Sequence, residues 1–241
     1  MKFVFRVNTD YVFLHALNAA QKKEPFEGWK KFANNIWDKT PAIFYFLSGS
    51  PEYILFTSSK NTLPAIAKTA EKTLKETRKT KEYKKISIET EEYGLFVRQQ
   101  WRKNYKQALS ILKDITGFLM PPKKVVVYLT HPKLKNGLTI SDEIIVWGHH
   151  EDYKNYTTVY LCHELMHILT DHNNTDLVHA AIELAIDNEL RIRLNKKGRY
   201  FEYPCHTYLQ EIERKLLPNW KAYLRQEKQD FWAFIKENKT I

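Results

Sequence analysis

The spacing of apolar residues changes near residue 120. Before that point apolar positions recur mainly every three or four residues, a spacing that is typical of amphipathic helices. A short apolar run at residues 2–8 predicts a first strand, and residues 42–47 and 53–56 predict two more short strands. The helical pattern predicts helices at residues 11–23, 27–38, 63–74 and 93–119, the last ending before Pro121-Pro122.

Beyond residue 120 strands and helices are both indicated. Two runs rich in β-branched residues, 124–130 and 143–148, predict strands, and Asn136-Gly137 between them predicts a turn. Amphipathic patterns then predict helices at residues 156–170, 175–194 and 218–238. We therefore expect an α+β protein with a mostly helical region over residues 1–120 and a mixed region over 121–241. A single continuous domain is the alternative.

Composition points to a folded protein outside the membrane. Hydrophobic residues make up 43% of the 241 residues, and there are only 7 glycines, so a sizeable core is expected. No apolar run approaches the ~18 residues that a membrane span requires. Polar residues interrupt the N-terminal segment before a signal-peptide core can form, and the two cysteines suggest no disulfide framework. We therefore expect a cytoplasmic protein.

The basic charge is concentrated in the first part of the chain. Residues 1–150 hold 25 Lys and Arg against 14 Asp and Glu, whereas residues 151–241 hold 13 against 14. A basic surface can attract nucleic acid or an acidic partner. A solvated, lysine-rich helix face explains the same composition, and no aromatic-basic interleaving of the kind found in RNA-binding modules accompanies it.

The most specific chemical signal is His163-Glu-Leu-Met-His167 in the predicted helix 156–170. Histidines four residues apart lie on one helical face, so both imidazoles can reach one zinc ion. Glu164 stands where it can take a proton from a water that the metal activates. The flanking residues are mostly apolar, which predicts a buried helix, and buried histidines need partners. The pattern indicates a zinc-dependent peptidase, a hydrolase.

A second polar column follows on the predicted helix 175–194. His179, Glu183 and Asp187 recur at intervals of four on an otherwise apolar helix, and such groups are costly unless they are paired or bind metal. A catalytic zinc takes three protein ligands and leaves one position open. Glu183 is the preferred third ligand. The alternatives in range are Asp171, His172, Asp176 and His179.

This combination of HExxH with a helix carrying ExxxD resembles the gluzincins, the thermolysin-like zinc metallopeptidases. The matching residues are His163, Glu164, His167, Glu183 and Asp187, and the resemblance covers about residues 124–195. It implies that Glu183 binds zinc and that Asp187 orients a ligand histidine, His163. The interval from His167 to Glu183 is shorter than in thermolysin itself. The glycine and the closely following third histidine of the metzincins are absent.

The resemblance also implies a zincin-like core within residues 121–241, in which an edge strand beside the motif helix binds an extended peptide or protein substrate. The predicted strand 143–148, with Ile145, Val146, Trp147 and Gly148, is the candidate for this strand. An ordinary core strand is the alternative.

The chemistry needs a further donor for the developing oxyanion. Tyr203 and His206 are candidates for it, and His179 is a candidate for a supporting or substrate-binding group. The competing function is a zinc-stabilised binding protein that uses its basic N-terminal half on nucleic acid or an acidic partner.

Overall fold

A computed structural model describes residues 1–7, 72, 75–76, 78–203 and 206–240 of the chain. The predicted helices 11–23 and 27–38, the strands 42–47 and 53–56, and the apolar positions of the stripe 63–74 lie outside the described residues. The described segments form one sheet and the helices that pack around it.

The described part is an α+β structure around a four-stranded mixed sheet. The strands are β1 (Lys2–Val7), β2 (Lys124–Leu129), β3 (Asn136–Ser141) and β4 (Ile144–Gly148), and their order across the sheet is β1-β2-β4-β3. The first three in this order are parallel, and β3 runs antiparallel to β4. The predicted strands 2–8, 124–130 and 143–148 are confirmed.

The strand β3 is not evident from the sequence, because its first residues are Asn136-Gly137. The expectation of a turn at this pair is wrong: both residues pair with the end of β4, and the chain reverses at Asp142-Glu143 instead. Packing explains why residue 137 is a glycine. A Cβ at Gly137 would lie 2.4 Å from a ring carbon of Tyr160 and 3.0 Å from the Trp147 ring.

The helices are α1 (Lys81–Thr116), α2 (Tyr156–Leu169), α3 (Asp176–Glu183), α4 (Arg191–Asn195), α5 (Gln210–Tyr223) and α6 (Phe231–Glu237). A π-helical segment, Leu184–Leu190, joins α3 to α4 without a break. Short 3-10 turns lie at Pro132–Leu134 and Thr207–Leu209. The helix predicted at 93–119 thus begins earlier, at Lys81. The helix predicted at 218–238 is two helices, the second capped by the Asp230 side chain.

One core joins the segments on both sides of residue 120. Phe3 of β1 stacks on Trp101 of α1 with 4.5 Å between ring centroids, and both side chains belong to the same buried cluster as β2, β4 and α2. Within α5, the Tyr223 hydroxyl donates to the Ile115 carbonyl of α1 at 2.9 Å. Each fully buried large apolar side chain contributes roughly 1.5–3 kcal/mol. Within this fold α2 packs against β3, and α3 packs against α2 and α5.

Across the described ranges, no helix combines the length and the apolar character that crossing a membrane would require.

Candidate metal centre

The helix α2 presents the two motif histidines side by side. His163 is 1% exposed, and its Nε2 lies 3.3 Å from Nε2 of His167. Two nitrogens that bind one tetrahedral zinc at about 2.0–2.1 Å stand about 3.3 Å apart, so the spacing fits a shared metal. The start of α2 is fixed by Glu151, whose carboxylate accepts from the Thr157 N–H at 2.9 Å.

Asp187 holds His163 from the opposite side of the ring. Its Oδ2 lies 2.7 Å from His163 Nδ1, and both side chains are buried. This is the contact that the gluzincin resemblance implies. With the Nδ1 proton donated to a carboxylate, the lone pair of Nε2 is directed toward His167. Asp187 lies in the π-helical segment, which is anchored where the Asn188 side chain donates to the Glu183 carbonyl at 3.1 Å.

His179 is the third residue that the structure brings to the motif pair. Ligand atoms of His163, His167 and His179 lie within 4.8 Å of one another. The three rings form a nearly equilateral arrangement, with centroid separations of 5.1, 5.5 and 4.9 Å. His179 Nε2 is buried without a hydrogen-bond partner among the described residues. A buried imidazole nitrogen without a partner is one that a metal would satisfy.

Glu183, the preferred third ligand from the sequence, belongs to a neighbouring group with His179 and His206. Its carboxylate is 1% exposed, and both of its oxygens contact His206: Oε1 lies 2.6 Å from Nδ1, and Oε2 accepts the backbone N–H at 3.3 Å. Three further candidates, Asp171, His172 and Asp176, join neither group of potential ligands within the described residues.

The protonation states in the metal-free protein differ within the triad. Burial lowers the pKa of His167 to about 3 and that of His179 to about 4, so both rings are neutral at pH 7. Burial also acts to lower the pKa of His163, but the charge and hydrogen bond of Asp187 outweigh it and raise this pKa to about 9. Neutral imidazoles are the form that binds metal.

Glu164 faces the cavity from the same helix. Its Oε2 lies 2.6 Å from the Thr139 hydroxyl of β3, and the residue is 4% exposed. Burial raises the pKa of Glu164, whereas the charge of His163 and hydrogen bonds from Thr139 and Tyr160 lower it. A carboxylate that two hydroxyl groups orient beside a candidate metal position is suited to accept a proton from water.

A cavity of about 300 Å³ opens above these groups, and Glu164, the three histidines and His206 line it. The second predicted donor, Tyr203, does not line this cavity; it packs against Tyr153 and Arg191. Sequence reasoning missed Thr139, Tyr160 and Tyr208, which line the cavity as well. For Tyr160 a signal existed, since it precedes His163 by three residues and therefore shares its helical face.

The prediction that residues 143–148 form the edge strand is wrong. The strand β4 lies between β2 and β3, and Ile145, Val146, Trp147 and Gly148 are buried. A strand paired on both sides has no free backbone groups to offer a substrate. Among the described strands, the edge beside α2 is β3, and Gly137, Leu138 and Thr139 of this strand line the cavity.

Comparison of the chain with protein-family models, with curated proteins and with solved structures finds no match. The geometry of the site therefore carries the functional argument alone.

Proposed function

We propose that this protein is a zinc-dependent peptidase and that α2, α3 and the sheet edge form a zincin-like core. The observation that carries the proposal is the convergence of His163, His167 and His179 beside Glu164 in one open cavity. Three histidine nitrogens with one position left open are a known ligand set for catalytic zinc. A scaffold that used zinc only for stability would have no need of the glutamate.

The ligand set inferred here is the three histidines, with Asp187 orienting His163. Glu183 remains the alternative to His179 as third ligand. Its present contacts favour another role, because its buried carboxylate contacts His206 Nδ1 and orients that ring. When bound, zinc would polarise the scissile carbonyl and lower the pKa of a water toward about 7.

In the proposed hydrolysis, Glu164, His206 and β3 each have a separate role. Glu164 takes a proton from the attacking water as its oxygen bonds to the carbonyl carbon. The same carboxyl group passes that proton to the amine nitrogen as the C–N bond breaks, leaving a carboxylic acid and an amine. His206, held by Glu183, donates a hydrogen bond to the carbonyl oxygen as negative charge develops on it. The outer edge of β3, which pairs with no other described strand, holds the substrate backbone in an extended form.

Metal content and peptide hydrolysis test the proposal together. We expect about one equivalent of zinc in the purified protein. We expect it to be lost in His167→Ala and His179→Ala and retained in Glu164→Gln, with the last variant losing most of its hydrolytic activity. The matched controls are His150→Ala, at an exposed histidine outside the cavity, and Glu237→Gln, at an exposed glutamate. Full activity of Glu164→Gln would refute the mechanism.

The third ligand is decided by a separate pair of variants. We expect Glu183→Gln to keep zinc and His179→Ala to lose it. The reverse result would return Glu183 to the ligand set and leave the peptidase proposal intact. If His206 is the donor, His206→Ala should lower kcat by about 10²–10³-fold while zinc stays bound, which is the loss typical of one oxyanion-stabilising donor.

A second candidate function is nucleic-acid binding, and one described feature favours it. A cavity of about 640 Å³ between β1 and α1 is lined by Lys2, Arg98 and Arg102 together with Trp101 and Tyr105. Cationic and aromatic side chains at one place suit phosphate contacts and base stacking. Retention on single-stranded RNA that weakens with salt and with the double substitution R98Q/R102Q would support it; no retention at low salt would remove it.

A further inference from the structure

A second cavity, of about 680 Å³, adjoins the candidate metal centre along β3. The two cavities share Thr139, His172 and Asn174 as lining residues. The second cavity continues to the Asp142-Glu143 turn where β3 ends. Together they form a groove beside an edge strand of six residues, which is about 20 Å long at roughly 3.3 Å per residue.

The inner cavity lacks the cationic side chains that commonly bind a terminal carboxylate, as far as the described residues go. Among the described residues that line it there is no Lys or Arg to bind a terminal carboxylate. Its one acidic lining residue in that set is Glu164, which the proposed mechanism uses for proton transfer. An exopeptidase must compensate the charge of the terminus that it binds, since a desolvated charge without a partner is costly. These walls suit an uncharged, continuous backbone.

The outer cavity carries an excess of negative charge. Asp142 is held by Lys123 and His172, each at 2.8 Å, so the lysine charge is already matched. Glu143 also lines the cavity, is exposed, and forms no ion pair with any other described residue. One uncompensated carboxylate therefore faces the groove at its far end. A cationic side chain is the complement to it.

We infer that the site cleaves internal bonds of an extended polypeptide and that the outer cavity binds a basic side chain of that substrate. The inference rests on the proposed peptidase function. Thr139 contacts Glu164, and Glu143 lies four residues further along the chain. The basic residue should therefore stand about three to four residues from the scissile bond, because each residue of an extended chain spans roughly 3.3 Å.

The test is a peptide library whose members are acetylated at the N-terminus and amidated at the C-terminus, compared with the same library with free termini. We expect the zinc-loaded protein to cut the blocked peptides internally. Among the products we expect Lys or Arg to be enriched at one position three to four residues from the cut. The enrichment should weaken as salt is raised, because the contact is exposed.

The variant Glu143→Gln supplies the second arm, with Glu237→Gln as its control. We expect Glu143→Gln to reduce the preference for the basic residue by about two- to fivefold, the range of an exposed ion pair. The control Glu237→Gln should leave this preference unchanged. An unchanged preference would overturn the basic subsite.

Cleavage only of peptides with a free terminus would overturn the internal-cleavage inference and leave the peptidase proposal standing. Cleavage of neither library by the zinc-loaded protein would overturn both.

Discussion

Replacing Asp187 by Asn separates the role of its charge from that of its shape. The native carboxylate lies 2.7 Å from His163 Nδ1, and the two side chains are only 5% and 1% exposed. The amide oxygen of asparagine can still accept a hydrogen bond from Nδ1–H of His163, so the ring should stay in place. What is lost is the charge that makes this hydrogen bond roughly twice as strong as a neutral one.

The expected result is weaker metal binding with the fold preserved. Loss of a carboxylate that supports a ligand histidine typically costs 10–100-fold in metal affinity, which corresponds to about 1.4–2.7 kcal/mol. We expect the upper half of this range, because solvent does not screen a pair that is buried this deeply. The measurement is a competition titration with a chelator of known zinc affinity at fixed pH and ionic strength.

The control is Asp142→Asn. Asp142 also contacts a histidine, His172 at 2.8 Å, but this pair is exposed and its histidine joins neither group of potential ligands. Its substitution should leave zinc affinity unchanged. If Asp187→Asn is folded, as judged by its melting temperature and circular dichroism, and binds zinc within twofold of the native protein, the assigned role of Asp187 is refuted.

Three further predictions concern stability. Gly137→Ala should destabilise the protein by about 1–3 kcal/mol in urea unfolding, because its Cβ would overlap the Tyr160 ring; unchanged stability would contradict that packing. Burial, reinforced by the charge of Glu183, raises the pKa of Glu213 to about 8, so the native protein should lose stability as the pH rises from about 4.5 to 8. The Glu213→Gln variant should not show that loss of stability. If stability depends on pH in the same way in the native protein and the variant, this prediction is refuted. Burial lowers the pKa of His131, so the stability of the native protein should fall as the pH drops below about 6.5. The stability of the His131→Asn variant should fall less steeply over the same range.

Periodicity and residue spacing were sufficient to predict the motif helix and the helix that follows it. Apolar flanks around His163 and His167 predict a buried α2, and the regular interval between His179 and Asp187 places both on α3 and its continuation. These are local properties of the chain, since a helix repeats every ~3.6 residues whatever surrounds it. Three strands were predictable for a similar reason: β2 and β4 from their β-branched residues, and β1 from a short apolar run.

Contacts between distant segments were not predictable. Asn136-Gly137 has the local signature of a turn, and only the Tyr160 ring explains a glycine inside β3. The position of β4 between two other strands is a property of the whole sheet. The pairing of Glu183 with His206 likewise depends on the return of the chain after α4, which brings a residue from beyond that helix against α3. Residue spacing along one helix could not reveal that His206 would contact the Glu183 carboxylate.

The parallel pairing of β1 with β2 has a consequence for how the protein is made. Lys2 pairs with Lys124, so the first strand cannot join the sheet until 122 further residues have been synthesised. At 5–20 residues per second, this delay is roughly 6–24 s, during which Phe3, Phe5 and the other residues of β1 lack β2 as their pairing strand. A ribosome-bound chain stalled before residue 124 should therefore need a chaperone more than one stalled after residue 150.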